Sequence, residues 1–267
     1  MSQSSGPVRV THDGQGVATL AMSRPERHNA LSTALIEALA EGLDVLALDG
    51  ETRVVVLAGD GRSFCAGADI DEMRSTGAAP PAANAREAAR LATLLRRLDT
   101  FPKPTVARVH GNAFGGALGL IAACDVAVAA DIASFALTEV RLGIVPAMIS
   151  PYVVRAIGER QARRYFLTGE RFAAATAQRI GLVHEMVTAD RLDASVSAIA
   201  SDLLAGAPGA QAEAKRLLRH VTARSEAGDE RMSEDTAQWI SRLRAAAEGR
   251  EGLSAFLDKR PPSWRKG

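Results

Sequence analysis

The stretch from Thr105 to Asp125, TVARVHGNAFGGALGLIAACD, constrains the fold of this 267-residue chain most strongly. Its first part, Thr105 to Val109, is mostly apolar and begins with β-branched residues, which predicts a buried strand. Gly115-Gly116 predicts a tight turn, and the small apolar run from Ala117 to Cys124 predicts a buried helix that begins at the glycines. A glycine pair lets a ligand approach the backbone closely. It also leaves free N–H groups at the positive end of a helix, where negative charge is stabilised.

A second segment of the same kind lies upstream. Val54 to Ala58 is typical of a buried strand, and the small-residue turns GDG and SFCAGAD follow it. The residues from Ile70 to Arg74 then have a helix-like pattern. Two such units can each present one backbone N–H to a single oxygen, which is how acyl-transfer sites stabilise an enolate or oxyanion. Taken alone, the Gly115-Gly116 turn is equally typical of a strand-to-helix connection in which the glycines serve only packing.

Three motifs in combination resemble the enoyl-CoA hydratase/isomerase (crotonase) family. They are SFCAGADIDEM, PKPTVARVHGNAFGGALGL and FALTEVRLGIVP, and the resemblance runs from about Pro25 to the C-terminus. It implies an α/β fold, a ββα superhelix wound as a spiral, over residues 1–195 with the acyl-CoA site. It implies a helical region over residues 196–267 that builds trimers, usually paired into hexamers. It also implies that the N–H groups of Ala68 and Gly116 bind the thioester oxygen.

The resemblance assigns proton transfer to two glutamates, of which this chain matches one. Typical hydratases of the family carry one glutamate on the helix after the glycine pair and the other on a later turn. The later one matches Glu139, whereas Gly119 stands at the first position. Burial would raise the pKa of Glu139 toward the range that an acid or base needs. The structural alternative for Glu139 is an ion pair with Arg141.

Three functions are compatible with a single glutamate. Hydration of a 2-enoyl-CoA is favoured by the stretch EVRLGIVPAMISPYVVRAIGERQARRYFLTGERF, which resembles bacterial methylglutaconyl-CoA and isohexenylglutaconyl-CoA hydratases. Their substrates carry a second carboxylate, and the sequence leaves open whether Arg74, Arg141 or Arg155 meets it. A Δ3,Δ2-enoyl-CoA isomerase would use Glu139 alone to move a proton from C2 to C4. A non-catalytic acyl-CoA-binding protein is disfavoured, because Glu139 accompanies both amide motifs.

The resemblance also places residues along the coenzyme A channel. They are Arg27, His28, Ala30, Ala66, Asp69, Ile70, Asp71, Gly115, Phe256 and Lys259. Asp69 has a second, compatible interpretation as the cap of the helix that follows it. Phe256 and Lys259 would contact coenzyme A, often that of a neighbouring subunit, and the homotrimer or dimer of trimers is therefore the expected assembly.

Composition and motif content disfavour several kinds of partner and cofactor. A formal net charge of +1 and an aromatic content of 4% disfavour nucleic-acid binding. The sequence has no apolar run long enough to span a bilayer, and MSQSSGPVRV lacks the pattern of a signal peptide. Cys65 and Cys124 lie in apolar contexts, which fits reduced thiols in a reducing cytosol. The histidines lack the spacing of metal ligands, and no phosphate-loop or nicotinamide motif occurs. We expect a cytoplasmic enzyme whose only coenzyme is the coenzyme A of its substrate.

Local patterns predict several further elements. Asp13-Gly14 between apolar runs predicts a hairpin within Val8–Met22, and Ser32 predicts a helix N-cap. The Gly/Ala/Pro-rich segment Ser75–Ala85 predicts a flexible loop over the acyl pocket. The residues Phe172–Arg179 predict a helix. Beyond about residue 190 only helices are predicted, over Leu192–Ala205, Ala210–His220 and Met232–Ala247.

Overall fold

A computed structural model describes residues 6–77, 80–222 and 229–265. The strands in these ranges are Val8–His12 (β1), Val17–Met22 (β2), Val54–Gly59 (β3), Ser63–Cys65 (β4), Thr105–Val109 (β5), Asn112–Phe114 (β6), Val126–Ala130 (β7), Ser134–Ala136 (β8), Arg171–Ala173 (β9) and Glu185–Val187 (β10). One sheet has six strands in the order β1-β2-β3-β5-β7-β10, and a second has four in the order β4-β6-β8-β9. Pairing is parallel except between β1 and β2 and between β8 and β9.

The helices surround these sheets and dominate the C-terminal part of the chain. They are Thr33–Leu48 (α1), Ile70–Gly77 (α2), Pro81–Asp99 (α3), Gly116–Ala123 (α4), Ser150–Thr168 (α5), Ala174–Arg179 (α6), Leu192–Ala205 (α7), Pro208–Thr222 (α8), Asp229–Ala245 (α9) and Ala247–Leu257 (α10). Helix α5 has a non-helical residue, Gly158, at φ 73°. In the part of the chain that the structure describes, no strand follows Val187.

The order of the elements produces a spiral. Strand β5, strand β6 and helix α4 form one unit, and β7, β8 and α5 form the next. In each unit the first strand joins the six-stranded sheet and the second joins the four-stranded sheet. Because successive first strands are parallel, the turns that follow β3 and β5 lie at the same edge of the molecule. The topology therefore brings the two glycine turns together.

The six-stranded sheet is buried on both faces. Side chains alternate along a strand, so Val55 and Leu57 face one apolar cluster while Val54 and Val56 face another. The first cluster contains buried side chains of α1, α3 and α4, and the second contains those of α7. The continuous apolar run of β3 is typical of a parallel strand covered on both sides.

Several predicted elements are confirmed. Strands β1 and β2 form the antiparallel hairpin, with Val8 opposite Met22. Ser32 caps α1, since its hydroxyl accepts a hydrogen bond from the N–H of Leu35 at 3.2 Å. Both cysteines are buried, and burial raises the pKa of each thiol to about 12. Cys65 therefore serves packing.

One predicted element is wrong, and two predicted helices are confirmed except at one end. The loop over Ser75–Ala85 is largely helical, because α2 extends to Gly77 and α3 begins at Pro81, where proline fits the first turn of a helix and the alanines favour continuation. Residues 78–79 of that loop lie outside the described residues. Phe172 lies in β9, opposite Phe135 of β8, and not in a helix. The helix predicted over Met232–Ala247 is interrupted by the extended backbone of Ala246 (φ −71°, ψ 160°).

The C-terminal helices are attached to the sheet through a buried cation. Lys215 of α8 is 9% exposed. Its Nζ donates to Asp125 Oδ2 at 2.6 Å and to the carbonyl of Lys103 at 3.1 Å. Both acceptors flank the start of a strand of the six-stranded sheet. None of the described helices is both long and apolar enough to span a membrane.

Candidate active site

The first of the two predicted amides belongs to Ala68, which forms an isolated parallel bridge with Leu31. The N–H of Leu31 donates to Gly67 O at 2.7 Å, and the N–H of Asp69 donates to Leu31 O at 3.2 Å. In parallel pairing, the residue between two such contacts directs its own N–H away from the partner. The N–H of Ala68 therefore points away from Leu31.

The second amide belongs to Gly116, the first residue of α4. An N–H at that position has no partner within its own helix. Gly115, which precedes it, has φ 51° and ψ −120°, a backbone conformation that favours glycine. The chain thus turns sharply at Gly115, and α4 begins with its free N–H groups facing the turn.

The two turns approach each other closely because Gly67 and Gly115 have no side chains. A Cβ on Gly67 would lie 2.7 Å from the carbonyl oxygen of Phe114, too close for any other residue type. A Cβ on Gly115 would lie 3.0 Å from Oε1 of Glu139. The glycines of both motifs and the carboxylate of Glu139 are therefore immediate neighbours, as the sequence predicts for a shared site.

These groups line a cavity of about 110 Å³. Its walls come from α2, α3, α4 and the loop that follows Glu139. The lining residues are Ala66, Gly67, Ala68, Ile70, Met73, Leu91, Gly115, Gly116, Thr138, Glu139, Leu142, Ile144, Val145, Pro146, Met148 and Ile149. Among the described residues that line it, Glu139 alone is ionisable. The arrangement joins the two predicted amide residues, one carboxyl group and an apolar wall.

Glu139 begins a short 3₁₀ turn, Glu139–Leu142. Its Oε2 is buried and has no hydrogen-bond partner among the described residues. Burial raises the pKa of this carboxyl group, because the charged form loses its hydration. The alternative ion pair with Arg141 does not form, since that guanidinium donates to the carbonyl of Thr168 at 3.4 Å. Glu139 is therefore placed to take up or release a proton.

Gly119, where the family pattern has its other glutamate, is covered by an apolar side chain. A Cβ on Gly119 would overlap Cγ2 of Ile149 and lie 2.8 Å from its Cβ. It would also lie 3.2 Å from Leu95 Cδ2. Ile149 is 2% exposed. Sequence reasoning missed Ile149, because its contact with Gly119 depends on how α5 packs against α4 and no local pattern signals it.

The predicted coenzyme A residues Arg27, Asp69 and Asp71 form a charge cluster. Arg27 donates to Asp71 at 2.5 Å and to Asp69 at 3.4 Å. The hydrogen bond between Arg27 and Asp71 raises the pKa of the guanidinium and lowers the pKa of the carboxyl group. Asp69 also caps α2, since its Oδ1 accepts from the N–H of Asp71 at 3.2 Å. The capping role predicted as an alternative for Asp69 is therefore confirmed.

The turn around His28 is fixed by backbone contacts. The carbonyl of His28 accepts from the N–H of Ala66 at 2.9 Å. The ring Nδ1 lies 3.2 Å from Ser63 Oγ. Ala30 is buried, and its carbonyl accepts from Arg24 at 3.0 Å. These contacts join the turn to the first amide motif, although only Ala66 of these residues lines the cavity.

Asn29 holds this turn in place, and sequence reasoning missed it. Its fully buried side chain donates to the carbonyls of Asp60 and Ser63, each at 2.9 Å. Its Oδ1 accepts from the N–H of Arg24 at 2.9 Å. The backbone of Asn29 has φ 54°, a conformation that asparagine tolerates better than most residues. An asparagine in a tight turn ahead of a helix is the available sequence signal.

The structure does not bring Phe256 and Lys259 to the cavity. Helix α10 packs against α8 and α9, and neither residue is part of the cavity lining. Phe256 is 81% exposed. Their contact with coenzyme A therefore stays a prediction that concerns an assembly of chains. Ile70 is 59% exposed and lies at the cavity's edge.

The fold is a spiral of ββα units in which two glycine turns meet at one site. Comparison with known proteins identifies the family that this fold and site define. The sequence model described as "Enoyl-CoA hydratase/isomerase" matches residues 12–267. The chain belongs to this family. A crystal structure of an enoyl-CoA hydratase from Shewanella pealeana is similar with a TM-score of 0.93 and 40% identity, covering 97% of this chain and 96% of that one. The predicted crotonase fold is therefore confirmed.

Two relatives have names that specify a substrate. The 2,3-dehydroadipyl-CoA hydratase of Escherichia coli is 35% identical over 255 residues, which cover 94% of this chain and 96% of that protein. The mevalonyl-coenzyme A hydratase sidH of Aspergillus fumigatus is 33% identical over 250 residues, which cover 93% and 91%.

Proposed function

We propose that the protein is an enoyl-CoA hydratase that adds water to a 2-enoyl-CoA thioester with Glu139 as its single proton carrier. One observation carries the proposal: Oε2 of Glu139 is buried without a hydrogen-bond partner among the described residues, and Glu139 shares a cavity with Ala68 and Gly116. The N–H groups of Ala68 and Gly116 bind the thioester oxygen. They stabilise this oxygen most strongly when the enolate forms. The oxygen then carries negative charge, and the donors need no reorientation to bind it.

In the proposed reaction, the Glu139 carboxylate accepts a proton from water while the water oxygen bonds to C3. The electron pair of the C2–C3 double bond moves toward the thioester oxygen, which gives the enolate. The Glu139 carboxylic acid then returns the proton to C2, and the thioester carbonyl is restored. One water molecule is consumed, and Glu139 ends as a carboxylate. Its raised pKa suits both steps, since a group that accepts and returns a proton works best near the ambient pH.

For the acyl group we propose a chain with a second carboxylate, such as methylglutaconyl-CoA. The resemblance of residues 139–172 and the E. coli relative named for dehydroadipyl-CoA, itself a dicarboxylic chain, support this class. The cavity lining has no basic residue, so the distal carboxylate would extend past its edge. Arg74 follows the lining residue Met73 and its side chain is 85% exposed. Arg74 lies 3.9 Å from Asp71, and Arg155 is in direct contact with Asp99, so Arg155 is the weaker candidate.

Isomerisation of a 3-enoyl-CoA is the second candidate, and the single ionisable residue of the lining favours it. Glu139 would take a proton from C2 of the 3-enoyl ester and return it to C4, with the same two amides stabilising the dienolate. No water is consumed. The non-catalytic acyl-CoA-binding alternative predicts binding without any conversion.

A mass-resolved assay tests these candidates with crotonyl-CoA, 3-methylglutaconyl-CoA and a 3-enoyl-CoA. Hydration adds the mass of one water, whereas isomerisation changes the retention time but not the mass. Glu139→Gln is expected to abolish the conversion. Glu159→Gln is the matched control, because it makes the same change on the exposed surface of α5. Conversion that survives Glu139→Gln would overturn the proposed role of Glu139.

We also propose that residues 196–267 form the contacts of a trimer. Helix α10 exposes three large apolar side chains, Leu253, Phe256 and Leu257, each more than half exposed in the single chain. Such a patch is costly to leave in water. Sedimentation analysis of the wild type and of Phe256→Ser tests this, with a shift of the mutant to a smaller species as the expected result.

A further inference from the structure

The contact between Gly119 and Ile149 shapes the wall of the cavity beside the first turn of α4. We infer that Ile149 is a specificity-determining residue: it occupies the side-chain volume of position 119 and limits which substituents fit beside C2 and C3 of the bound acyl chain. The inference rests on the proposed function, in that it requires the acyl chain to enter this cavity.

The position of Ile149 follows from helix geometry. Gly119 lies three residues after Gly116, so about 4.5 Å along the helix axis and on a neighbouring part of the same face. An acyl chain whose thioester oxygen binds at the N–H of Gly116 enters the cavity that both Gly116 and Ile149 line. Ile149 covers Gly119 at this point and is itself a lining residue.

The contact is also so tight that a side chain at position 119 and the side chain of Ile149 cannot both be accommodated. A Cβ on Gly119 would be 2.8 Å from Ile149 Cβ, a separation that real Cβ atoms do not show. Position 119 and position 149 therefore share a single side-chain volume. The sequence fills it with an alkyl group from Ile149, the residue that precedes α5, so this wall of the cavity is apolar.

Removing Ile149 should enlarge the space beside C3. Ile149→Ala is expected to shift the ratio of kcat/KM toward substrates with an added methyl or ethyl group at C3, by roughly 10-fold relative to crotonyl-CoA, since one methylene in an apolar pocket changes specificity by about this much. Ile149→Val restores most of the volume that alanine at this position leaves empty. It should move the ratio back toward that of the wild type.

Ile157→Ala is the matched control, because Ile157 is a buried isoleucine of α5, the helix that Ile149 precedes, and is not part of the cavity lining. It should lower the melting temperature without changing the ratio. A binding experiment with saturated acyl-CoA esters that carry the same C3 substituents gives a second readout that needs no turnover. Ile149→Ala should improve the Kd of the larger esters relative to butyryl-CoA.

The outcomes separate this inference from the proposed function. Turnover of 2-enoyl esters with equal ratios in the wild type, Ile149→Ala and Ile157→Ala would overturn the inference and leave the function intact. In another outcome, Ile149→Ala changes the order of affinities for the saturated esters, but the wild type turns over no ester. This outcome would support the inference and overturn the proposed function. Absence of acyl-CoA binding by the wild type would overturn both.

Discussion

Asp125 and Glu139 are two carboxylates in opposite surroundings. Asp125 Oδ2 accepts hydrogen bonds from Thr105 N at 2.8 Å, Thr105 Oγ1 at 2.9 Å and Lys215 Nζ at 2.6 Å. Oε2 of Glu139 is buried and accepts none from the described residues. Buried polar atoms are almost always satisfied, so an unsatisfied one needs a reason. Asp125 joins parts of the fold, whereas Glu139 keeps a lone pair free for a proton.

The two sites also differ in what surrounds the carboxylate. At Asp125 a buried lysine from α8 supplies the opposite charge. At Glu139 the surrounding lining is mostly apolar, and none of the described residues supplies an opposite charge to Oε2. The difference suggests that stability and chemistry can be perturbed separately in this molecule.

The largest expected effect is on catalysis. Glu139→Gln preserves the shape of the side chain but removes the proton carrier, so activity should fall by roughly 10²- to 10⁴-fold. The melting temperature should not fall, because Oε2 makes no hydrogen bond to the described residues that could be lost. Steady-state kinetics and thermal unfolding of the same preparation check both halves. A large loss of stability would show that Glu139, like Asp125, has a structural role.

Asp125→Ala should give the opposite result. It leaves Lys215 buried without its counter-charge, which should lower the free energy of unfolding by about 3 kcal/mol. Folded protein should retain its kcat, since neither residue lines the cavity. Urea unfolding measures the loss. The double variant Asp125→Ala/Lys215→Met should be less destabilised than Asp125→Ala alone, and equal losses would contradict a coupled pair.

The site around Glu139 can be predicted from the sequence better than the surroundings of Asp125. Glu139, Ala68 and Gly116 lie in motifs whose local pattern of strand, glycine turn and helix can be recognised, and the structure brings them to one cavity. The Asp125–Lys215 pair joins residues far apart in the chain, and only the packing of α8 creates it. No periodicity or composition signals such a contact.

The wrong prediction at Ser75–Ala85 and the missed contact between Gly119 and Ile149 have different origins. Proline and alanine in the first segment are ambiguous, because both are frequent in loops and both are favourable in the first turns of a helix. At Gly119 the sequence shows that a glutamate is missing but not what fills the space, which is set by Ile149. Local preference identifies turns and caps, whereas tertiary packing decides how space is filled.

Asn29→Ala is expected to have an intermediate effect and to change both stability and catalysis. It removes the donors to the carbonyl of Asp60 and to the buried carbonyls of Ser63 and Phe64, which should cost about 2 kcal/mol. Because the same turn holds Ala66 through the carbonyl of His28, the Ala68 amide should lose alignment and KM should rise. Unfolding curves and kinetics measure the two effects. A stability loss with unchanged kinetics would limit Asn29 to a structural role.

The smallest expected effect is a pH dependence of stability that belongs to Glu139. Burial raises the pKa of this group in the folded protein above its usual value of 4.5. The folded state therefore binds the proton more tightly than the unfolded state, and stability falls as the pH rises from the usual pKa to the raised one. The other cavity-lining residues carry no ionisable side chain, and Arg141 is held at the carbonyl of Thr168, so no neighbouring charge reverses this sign.

Glu139→Gln isolates this contribution, because glutamine does not titrate. The difference in melting temperature between the variant and the wild type should grow in favour of the variant as the pH rises through that window, and then become constant. The same ionisation should appear in the wild-type kinetics, where kcat/KM rises with pH as the base becomes charged, with a midpoint above that of an ordinary glutamate. A constant difference in melting temperature from acid to neutral pH would mean that Glu139 titrates alike in both states. The carboxyl group would then be solvated like a surface glutamate, and the contrast with Asp125 would lie in charge pairing alone.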